Sequence, residues 1–216
     1  MRSFSDAGQE TFAFQVSGKK RNGYFLEIGA NHPCAQSNNT YYLEKDYDWF
    51  GLSLEICREY EELAQRTRRS PYLVCDATKA DYTELFSKYN LPKHINYLQI
   101  DLDVENRSTL EVLELLDRTV MEKGYIFGAV TMEHDFYRED YFNTRTISRN
   151  IFSKRGYVLV FPNISLFYKG SECIFEDWYV HPDAMGISRE TLELWIKKFG
   201  DNKSMNFNNV LNIINS

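Results

Sequence analysis

The sequence has few cysteines, and their spacing indicates neither a metal site nor a disulfide scaffold. Its four cysteines, among 216 residues, form no CxxC pair and have no histidine pair beside them. Structural zinc sites and disulfide frameworks depend on such close, repeated spacings. Their absence argues against both classes and predicts reduced, mostly buried thiols.

Positive charge and long apolar segments are also scarce. The formal net charge is -6, and basic residues form only short clusters such as Arg66, Arg68 and Arg69. Because neutralisation of phosphates dominates nucleic-acid affinity, we expect no nucleic-acid partner. No apolar segment approaches the roughly 20 residues that span a bilayer, and the first residues lack the pattern of a signal peptide. We therefore expect a soluble, cytoplasmic protein.

The composition is that of an ordinary globular chain. Hydrophobic residues make up 43% and charged residues 26%, with 15 Tyr and 15 Phe. This length and composition suit one domain in which helices cover a central sheet. We expect a single domain over residues 1–216, with a helical segment at 1–22 and an Asn-rich tail at 201–216.

Short apolar runs alternate with amphipathic segments along the chain. The predicted strands are residues 24–29, 51–55, 72–75, 97–101, 126–132, 157–161 and 165–168. The predicted helices are residues 38–47, 58–65, 82–89, 108–123, 139–154 and 191–199. This alternation indicates a parallel sheet. The expected fold class is α/β: a Rossmann-like, mostly parallel seven-stranded sheet with helices on both faces and a terminal antiparallel hairpin, an arrangement common among methyltransferases.

Acidic residues follow the first three predicted strands. Ligands of open α/β sheets bind beyond the carboxyl ends of the strands, so these side chains face the expected site. Glu27, just before the turn at Gly29, suits a cationic amino group and would repel a pyrophosphate. Glu55 can accept hydrogen bonds from ribose hydroxyls, and Asp76, next to the small Ala77, from an adenine amino group. The set indicates an adenosyl ligand, although each acid can instead cap the following helix.

Three segments give the sequence a family resemblance. They are GYFLEIGAN at residues 23–31, SNNTYYLE at 37–44 and WFGLSLE at 49–55. Together they resemble the FkbM-type methyltransferases, and weaker similarity extends over about three quarters of the chain. Some viral glycan-modifying enzymes carry methyltransferase domains of this size, so the resemblance extends to them, with the host cytoplasm as the location in that case.

The resemblance implies S-adenosyl-L-methionine as cofactor and methyl transfer to a hydroxyl of a sugar, glycan or other hydroxylated small molecule. It also implies that Gly29, Asn31, Ser37 and Asn38 surround the methionine end. Combined with the strand-end acids, the predicted cofactor residues are Glu27, Gly29, Ala30, Asn31, Ser37, Asn38, Glu55, Asp76, Ala77 and Asp101.

Five titratable residues follow the fourth and fifth predicted strands: Asp101, Asp103, Glu133, His134 and Asp135. Removing a proton from a hydroxyl requires a general base or a cation that lowers the hydroxyl pKa. In one interpretation His134 is the base, oriented by Asp101 or Asp103. In another, which resembles the metal-dependent catechol-type methyltransferases, Asp101, Glu133 and His134 bind Mg or Mn. In a third, the role is structural, and Asp103 and Asp135 begin or cap the helices that follow them.

The methyl acceptor is the least constrained part of the sequence-based hypothesis. Glu176, Asp177, Trp178, Tyr179 and His181 suit a lid that stacks on a sugar and accepts its hydroxyls, or an ordinary packed loop. A lipid, polyketide or peptide acceptor with the same cofactor is an alternative. A non-catalytic adenosyl-binding module is another, although Asp101, Glu133 and His134 argue against it.

Overall fold

The computed structural model describes residues 3–35, 37–200 and 207–215, and its centre is a seven-stranded sheet. The strands are β1 (Tyr24–Ile28), β2 (Phe50–Glu55), β3 (Tyr72–Val74), β4 (His94–Ile100), β5 (Ile126–Glu133), β6 (Val158–Tyr168) and β7 (Ser171–Val180). Their order is β3-β2-β1-β4-β5-β7-β6. The first five strands are parallel, whereas β7 pairs antiparallel with both β5 and β6. The predicted fold class is confirmed.

Helices cover both faces of the sheet. The α-helices are α1 (Gln9–Val16), α2 (Tyr41–Tyr47), α3 (Glu61–Thr67), α4 (Tyr82–Lys88), α5 (Ser108–Leu116), α6 (Thr144–Lys154), α7 (Pro182–Met185), α8 (Arg189–Phe199) and α9 (Phe207–Ile214). Residues of α1, α8 and α9 pack on one face around Trp178. Residues of α4, α5 and α6 pack on the other around Phe127. Each face therefore has its own buried apolar layer, as expected for a parallel sheet.

The terminal hairpin differs from the prediction. The two predicted strands at 157–161 and 165–168 are one strand, β6, which bulges around Asn163 at φ 59°. The polar Asn163 and the bulges interrupt the alternation of apolar residues, which is why the strand resembled two. Its partner is β7, in a segment expected to be a lid. The acids Glu172, Glu176 and Asp177 obscure the pattern of that strand.

The two ends of the chain contribute to the apolar layer over one face. The predicted N-terminal helical segment contains α1, whose Phe12 and Ala13 are fully buried. Within the predicted Asn-rich tail, α9 packs through Val210 and Ile213, while residues 201–206 and 216 lie outside the described residues. Of the described helices, none has the length and apolar character needed to cross a bilayer.

Candidate active site

The turn after β1 brings the ends of two strands into close contact. Gly29 has φ 83°, and a Cβ built on it would lie 1.7 Å from the carbonyl oxygen of Asp101, just after β4. The amides of Gly29 and Ala30 both donate to the carbonyl of Leu54 at the end of β2. Only glycine fits this position, because it combines a left-handed backbone with close approach of another main chain. The turn therefore positions the backbone at Asp101.

Glu27 lies beneath this turn and is completely enclosed. Its carboxylate accepts hydrogen bonds from the Asn39 amide (3.0 Å), the Thr40 hydroxyl (2.8 Å) and the Ser53 hydroxyl (2.6 Å). The guanidinium of Arg68, equally buried, lies 3.7 Å away. Burial raises the pKa of Glu27, and the charge of Arg68 opposes that rise. The expectation that Glu27 contacts a cofactor is wrong, because its carboxylate is enclosed and bonded within the protein.

Asn38 is also buried, and its side chain stabilises the loop between β1 and α2 through hydrogen bonds to the main chain. Its side-chain oxygen accepts from the amides of Thr40 and Tyr41, and its amide nitrogen donates to the carbonyl of Ala30. Asn38 is fully buried and Ala30 is 1% exposed. Both predicted cofactor residues therefore shape the loop, and neither presents a side chain at the surface. Asn31, by contrast, is exposed.

A cleft opens at the carboxyl ends of β2 and β3; we call it the β2–β3 cleft. Its lining residues are Leu54, Glu55, Ile56, Cys75, Asp76, Ala77, Thr78, Leu102, Asp103, Asn106 and Ser108. The two oxygens of Glu55 accept from the amides of Asn31 and Cys57, both at 2.8 Å. A carboxylate has about four acceptor positions, so Glu55 keeps capacity for a ligand. Ile56 is 70% exposed at this cleft.

Asp76 lines the same cleft and also caps a short 3₁₀ turn. It accepts from the amide and hydroxyl of Thr78 and pairs with Lys79 at 2.6 Å. The hydrogen bond from Lys79 is the main reason that the pKa of Asp76 falls to about 2. Asp76 therefore caps the turn that follows it, as the alternative interpretation of the sequence predicted. Ala77 lines the cleft beside it.

A second cleft opens at the ends of β4 and β5; we call it the β4–β5 cleft. Its lining residues are Asp6, Gln9, Ser37, Asn39, Asp101, Glu133, Asp135, Tyr137, Leu166, Cys173 and Phe175. Asp101 lines this cleft, whereas Leu102 and Asp103 line the β2–β3 cleft. The two clefts therefore lie on either side of one three-residue segment.

Three carboxyl groups meet in the β4–β5 cleft. Glu133 lies within hydrogen-bonding reach of both Asp101 and Asp135, and in its protonated form it donates to one of them at a time. Burial, and then the charge of Asp101, hold the pKa of Glu133 well above its usual range. Burial also raises the pKa of Asp101 and of Asp135. The structure thus brings together Asp101 and Glu133, as the order of the strands predicted.

His134 is separated from this group. Its Nε2 lies 3.5 Å from Asp177 in a fully buried pair, and Arg149 makes two hydrogen bonds to Asp177 at 2.7 and 2.9 Å. Burial disfavours ionisation of Asp177, but the interactions with His134 and Arg149 more than compensate and lower its pKa. The expectation that Asp101 or Asp103 orients His134 is wrong. Successive residues of a strand point to opposite faces, so Glu133 and His134 diverge.

The metal-site hypothesis fails for the same reason. The residues described contain no group of three His, Cys, Asp or Glu side chains placed to hold a metal ion. Asp101 and Glu133 lie together in the β4–β5 cleft, but the third predicted ligand, His134, is directed to Asp177 instead.

The predicted acceptor lid is part of the core instead. Glu176, Asp177 and Trp178 are fully buried in β7 and Tyr179 is 1% exposed. Glu176 accepts from the Gln9 side chain at 3.0 Å and from the Trp178 indole at 2.6 Å. Burial raises its pKa to about 8. Glu176 contacts the β4–β5 cleft, described above, through Gln9, which lines it.

Sequence reasoning missed several residues that line the β4–β5 cleft. Asp6 and Gln9 come from the N-terminal segment, Asn39 from the loop before α2, and Tyr137 and Phe175 from around β7. The sequence could have indicated Asn39, because it belongs to the SNNT segment that carries part of the family resemblance. The contribution of β7 required knowledge of the hairpin.

The fold was compared with known proteins. No protein-family model and no curated protein matches the chain. Among solved structures it is similar to a candidate rRNA methylase from Clostridium thermocellum, with a TM-score of 0.50 and 10% identity over 83% of this chain and 99% of that chain. For an rRNA methylase from Streptococcus thermophilus the TM-score is 0.48 and the identity 7%, over 79% of this chain and 94% of that chain. A third structure is phosphoethanolamine N-methyltransferase 2 of Haemonchus contortus in complex with S-adenosyl-L-methionine. Its TM-score is 0.45 and its identity 15%, over 70% of this chain and 37% of that chain. At such low identity, the likeness to the first structure concerns the fold.

Proposed function

We propose that this chain is an S-adenosyl-L-methionine-dependent O-methyltransferase of the FkbM type that transfers a methyl group to a hydroxyl of a sugar or glycan. The observation that carries the proposal is the pair of clefts on either side of residues 101–103, at the carboxyl ends of the parallel strands. That edge is where open α/β sheets bind their ligands. One cleft suits a nucleoside, and the other collects acid–base groups.

The lining of the β2–β3 cleft fits an adenosyl group. Ile56 and Leu102 offer apolar surface for a purine, and the exposure of Ile56 is unusual for so large an apolar side chain. Glu55 is held by two backbone amides and keeps acceptor positions for ribose hydroxyls. Asp76 lies where it can accept from an adenine amino group, despite also capping its own turn.

The methionine end of the cofactor is proposed to lie across the Gly29 turn, near Asn31, Ser37 and Asp101. When bound, S-adenosyl-L-methionine supplies an electrophilic methyl group on a positively charged sulfur. Asp101 presents a carboxyl group to the cofactor beside this turn, a role that the enclosed Glu27 does not fill. Ser37 donates to Asp6 at 2.7 Å and so fixes the side of this region nearest the N-terminal segment.

The proposed proton acceptor is the cluster of three carboxyl groups that belong to Asp101, Glu133 and Asp135. A carboxylate whose pKa is raised is a stronger base, and catalysis benefits when that pKa approaches the working pH. Because Glu133 lies within hydrogen-bonding reach of Asp101 and of Asp135, an aspartate that takes a proton from a hydroxyl can be stabilised by a hydrogen bond to its neighbour. His134, buried against Asp177, is not included in this role.

The nature of the β4–β5 cleft also supports a hydroxylated acceptor. Carboxylates and the Asn39 side-chain oxygen accept hydrogen bonds, and hydroxyls supply them. Tyr137, 46% exposed at the same cleft, offers an aromatic face to the C–H surface of a sugar ring. An anionic acceptor is disfavoured, because the lining residues named above include no Lys or Arg.

The proposal is tested first by calorimetric titration with S-adenosyl-L-methionine and, separately, with NAD. We expect binding of the former only; binding of NAD alone would overturn the proposal. Transfer of a radiolabelled methyl group is then measured on a panel of neutral and amino oligosaccharides. Asp101→Asn and Glu133→Gln should each reduce transfer by about 100-fold or more, the usual range for losing an acid–base group. Retention of full turnover by both variants would exclude the proposed base.

A further inference from the structure

The β4–β5 cleft carries more negative charge than the proposed chemistry uses. Asp6, Asp101, Glu133 and Asp135 all line it, and none of its other lining residues is Lys, Arg or His. Burial raises the pKa of Glu133 furthest, so the cleft keeps the carboxyl groups of Asp6, Asp101 and Asp135 beside a Glu133 that favours its protonated form. Arg138 lies 3.6 Å from Asp135 and offsets part of that charge, but it also pairs with Glu105 outside the cleft.

An independent observation points to a ligand in this cleft. Asn39 is 2% exposed, lines the cleft, and its side-chain oxygen has no hydrogen-bond partner among the described residues. The Asn39 backbone amide is held by Glu27, so the residue is fixed in place. Buried acceptors normally have a donor, since an unpaired one destabilises the fold. The missing donor is expected from the molecule that binds here.

The charge of the cofactor does not balance the cleft. S-adenosyl-L-methionine carries a sulfonium, an ammonium and a carboxylate, so its net charge is one positive. Four carboxyl groups line the cleft without a Lys, Arg or His among its other lining residues, and the single net positive charge of the cofactor does not match them. A second cation restores the balance, and the described residues offer no metal site that would take this role.

We infer that the acceptor carries a protonated amino group, which Asp6 and the side-chain oxygen of Asn39 bind, and that the substrate class is therefore an amino sugar. This inference rests on the proposed function and deepens it. The Ser37 hydroxyl, 2.7 Å from Asp6, holds the Asp6 carboxylate in position. An ammonium group donates three hydrogen bonds and so satisfies both acceptors at once. The hydroxyl to be methylated is then directed towards Asp101.

The test uses three oligosaccharides with the same β-1,4-linked backbone. Chitosan oligomers carry a free amine at C2, chitin oligomers an acetylated one, and cello-oligomers a hydroxyl. With the intact protein and saturating cofactor at pH 6, we expect kcat/KM for the free amine to exceed both others by about ten-fold or more, the worth of one hydrogen bond to a charged group. The preference should decrease as pH rises and the amine loses its proton.

Variants assign the preference to the subsite. Asp6→Asn should reduce the ratio of kcat/KM between chitosan and cello-oligomers to about one. Glu193→Gln, which removes one charge from an exposed position on α8, should leave that ratio unchanged. The comparison of sugars on the unaltered protein remains decisive if Asp6→Asn does not fold.

The outcomes separate the two proposals. Equal or better turnover of cello-oligomers, with cofactor binding intact, overturns the ammonium subsite and leaves the methyltransferase proposal standing. Failure of all three sugars both to bind and to be methylated, with cofactor binding intact, also overturns the subsite. Failure to bind S-adenosyl-L-methionine overturns the proposed function itself.

Discussion

Replacing Gly29 by alanine is the most direct perturbation of the proposed site. The new Cβ would lie 1.7 Å from the carbonyl oxygen of Asp101, and reaching even 3.0 Å requires a displacement of about 1.3 Å. The left-handed backbone and the overpacking together should lower the free energy of unfolding by about 2 to 5 kcal/mol. A displacement of about 1 Å near reacting groups can reduce turnover by roughly 100-fold. We therefore expect a severe loss of methyl transfer, beyond the loss of stability.

Gly124→Ala is the matched control. Gly124 has nearly the same backbone, at φ 81°, but no atom lies within 4 Å of an added Cβ. The free energy of unfolding of Gly124→Ala should fall only by the cost of the left-handed backbone, about 1 to 2 kcal/mol. This variant should keep full turnover. Urea denaturation gives the stability of both variants, and calorimetry and single-turnover transfer give their function at a temperature where both are folded. Cofactor affinity and turnover for Gly29→Ala within two-fold of Gly124→Ala would refute the reasoning.

Three further predictions concern the surroundings of the site. Arg68→Met leaves Glu27 buried without its cation and should lower the free energy of unfolding by about 3 to 5 kcal/mol in urea; a loss below 1 kcal/mol would contradict this. Glu10 and Glu176 have raised pKa values of about 7 and about 8, from 4.5, so the folded state keeps protons that the unfolded state has released. Stability should therefore fall as pH rises from about 4.5 to about 8, with a loss of about 4 kcal/mol between pH 6 and pH 9, and a Tm that does not fall over this range would exclude the assignment. Ile56→Ser should weaken S-adenosyl-L-methionine binding about ten-fold, because less apolar surface is buried, without altering the Tm; unchanged affinity would remove Ile56 from the cofactor site.

The sequence was sufficient to predict the sheet and the meeting of Asp101 with Glu133. Strands that alternate with helices allow few arrangements, and in these the carboxyl ends of β4 and β5 are neighbours. The orientation of His134 was also within reach, because the two-residue period of a strand directs it away from Glu133. The error came from treating consecutive polar residues as one group.

The role of Glu27 was less accessible. Its partners Thr40, Ser53 and Arg68 come from three separate segments, and only the packed structure shows that they converge on one carboxylate. The hairpin was missed for a local reason, since the bulge at Asn163 disturbs the periodicity of β6. Long-range burial of polar side chains and strand irregularity are the two features that periodicity does not encode.

The antiparallel hairpin has a consequence for how acceptor preference can change. Leu166, Cys173 and Phe175, all on β6 and β7, form one wall of the β4–β5 cleft, whereas the β2–β3 cleft lies among the parallel strands. Under the proposed function, the acceptor would therefore meet the antiparallel hairpin while the cofactor meets only the parallel strands. Exchanging the hairpin residues that line the β4–β5 cleft would then be expected to alter the choice of acceptor and to leave cofactor binding intact.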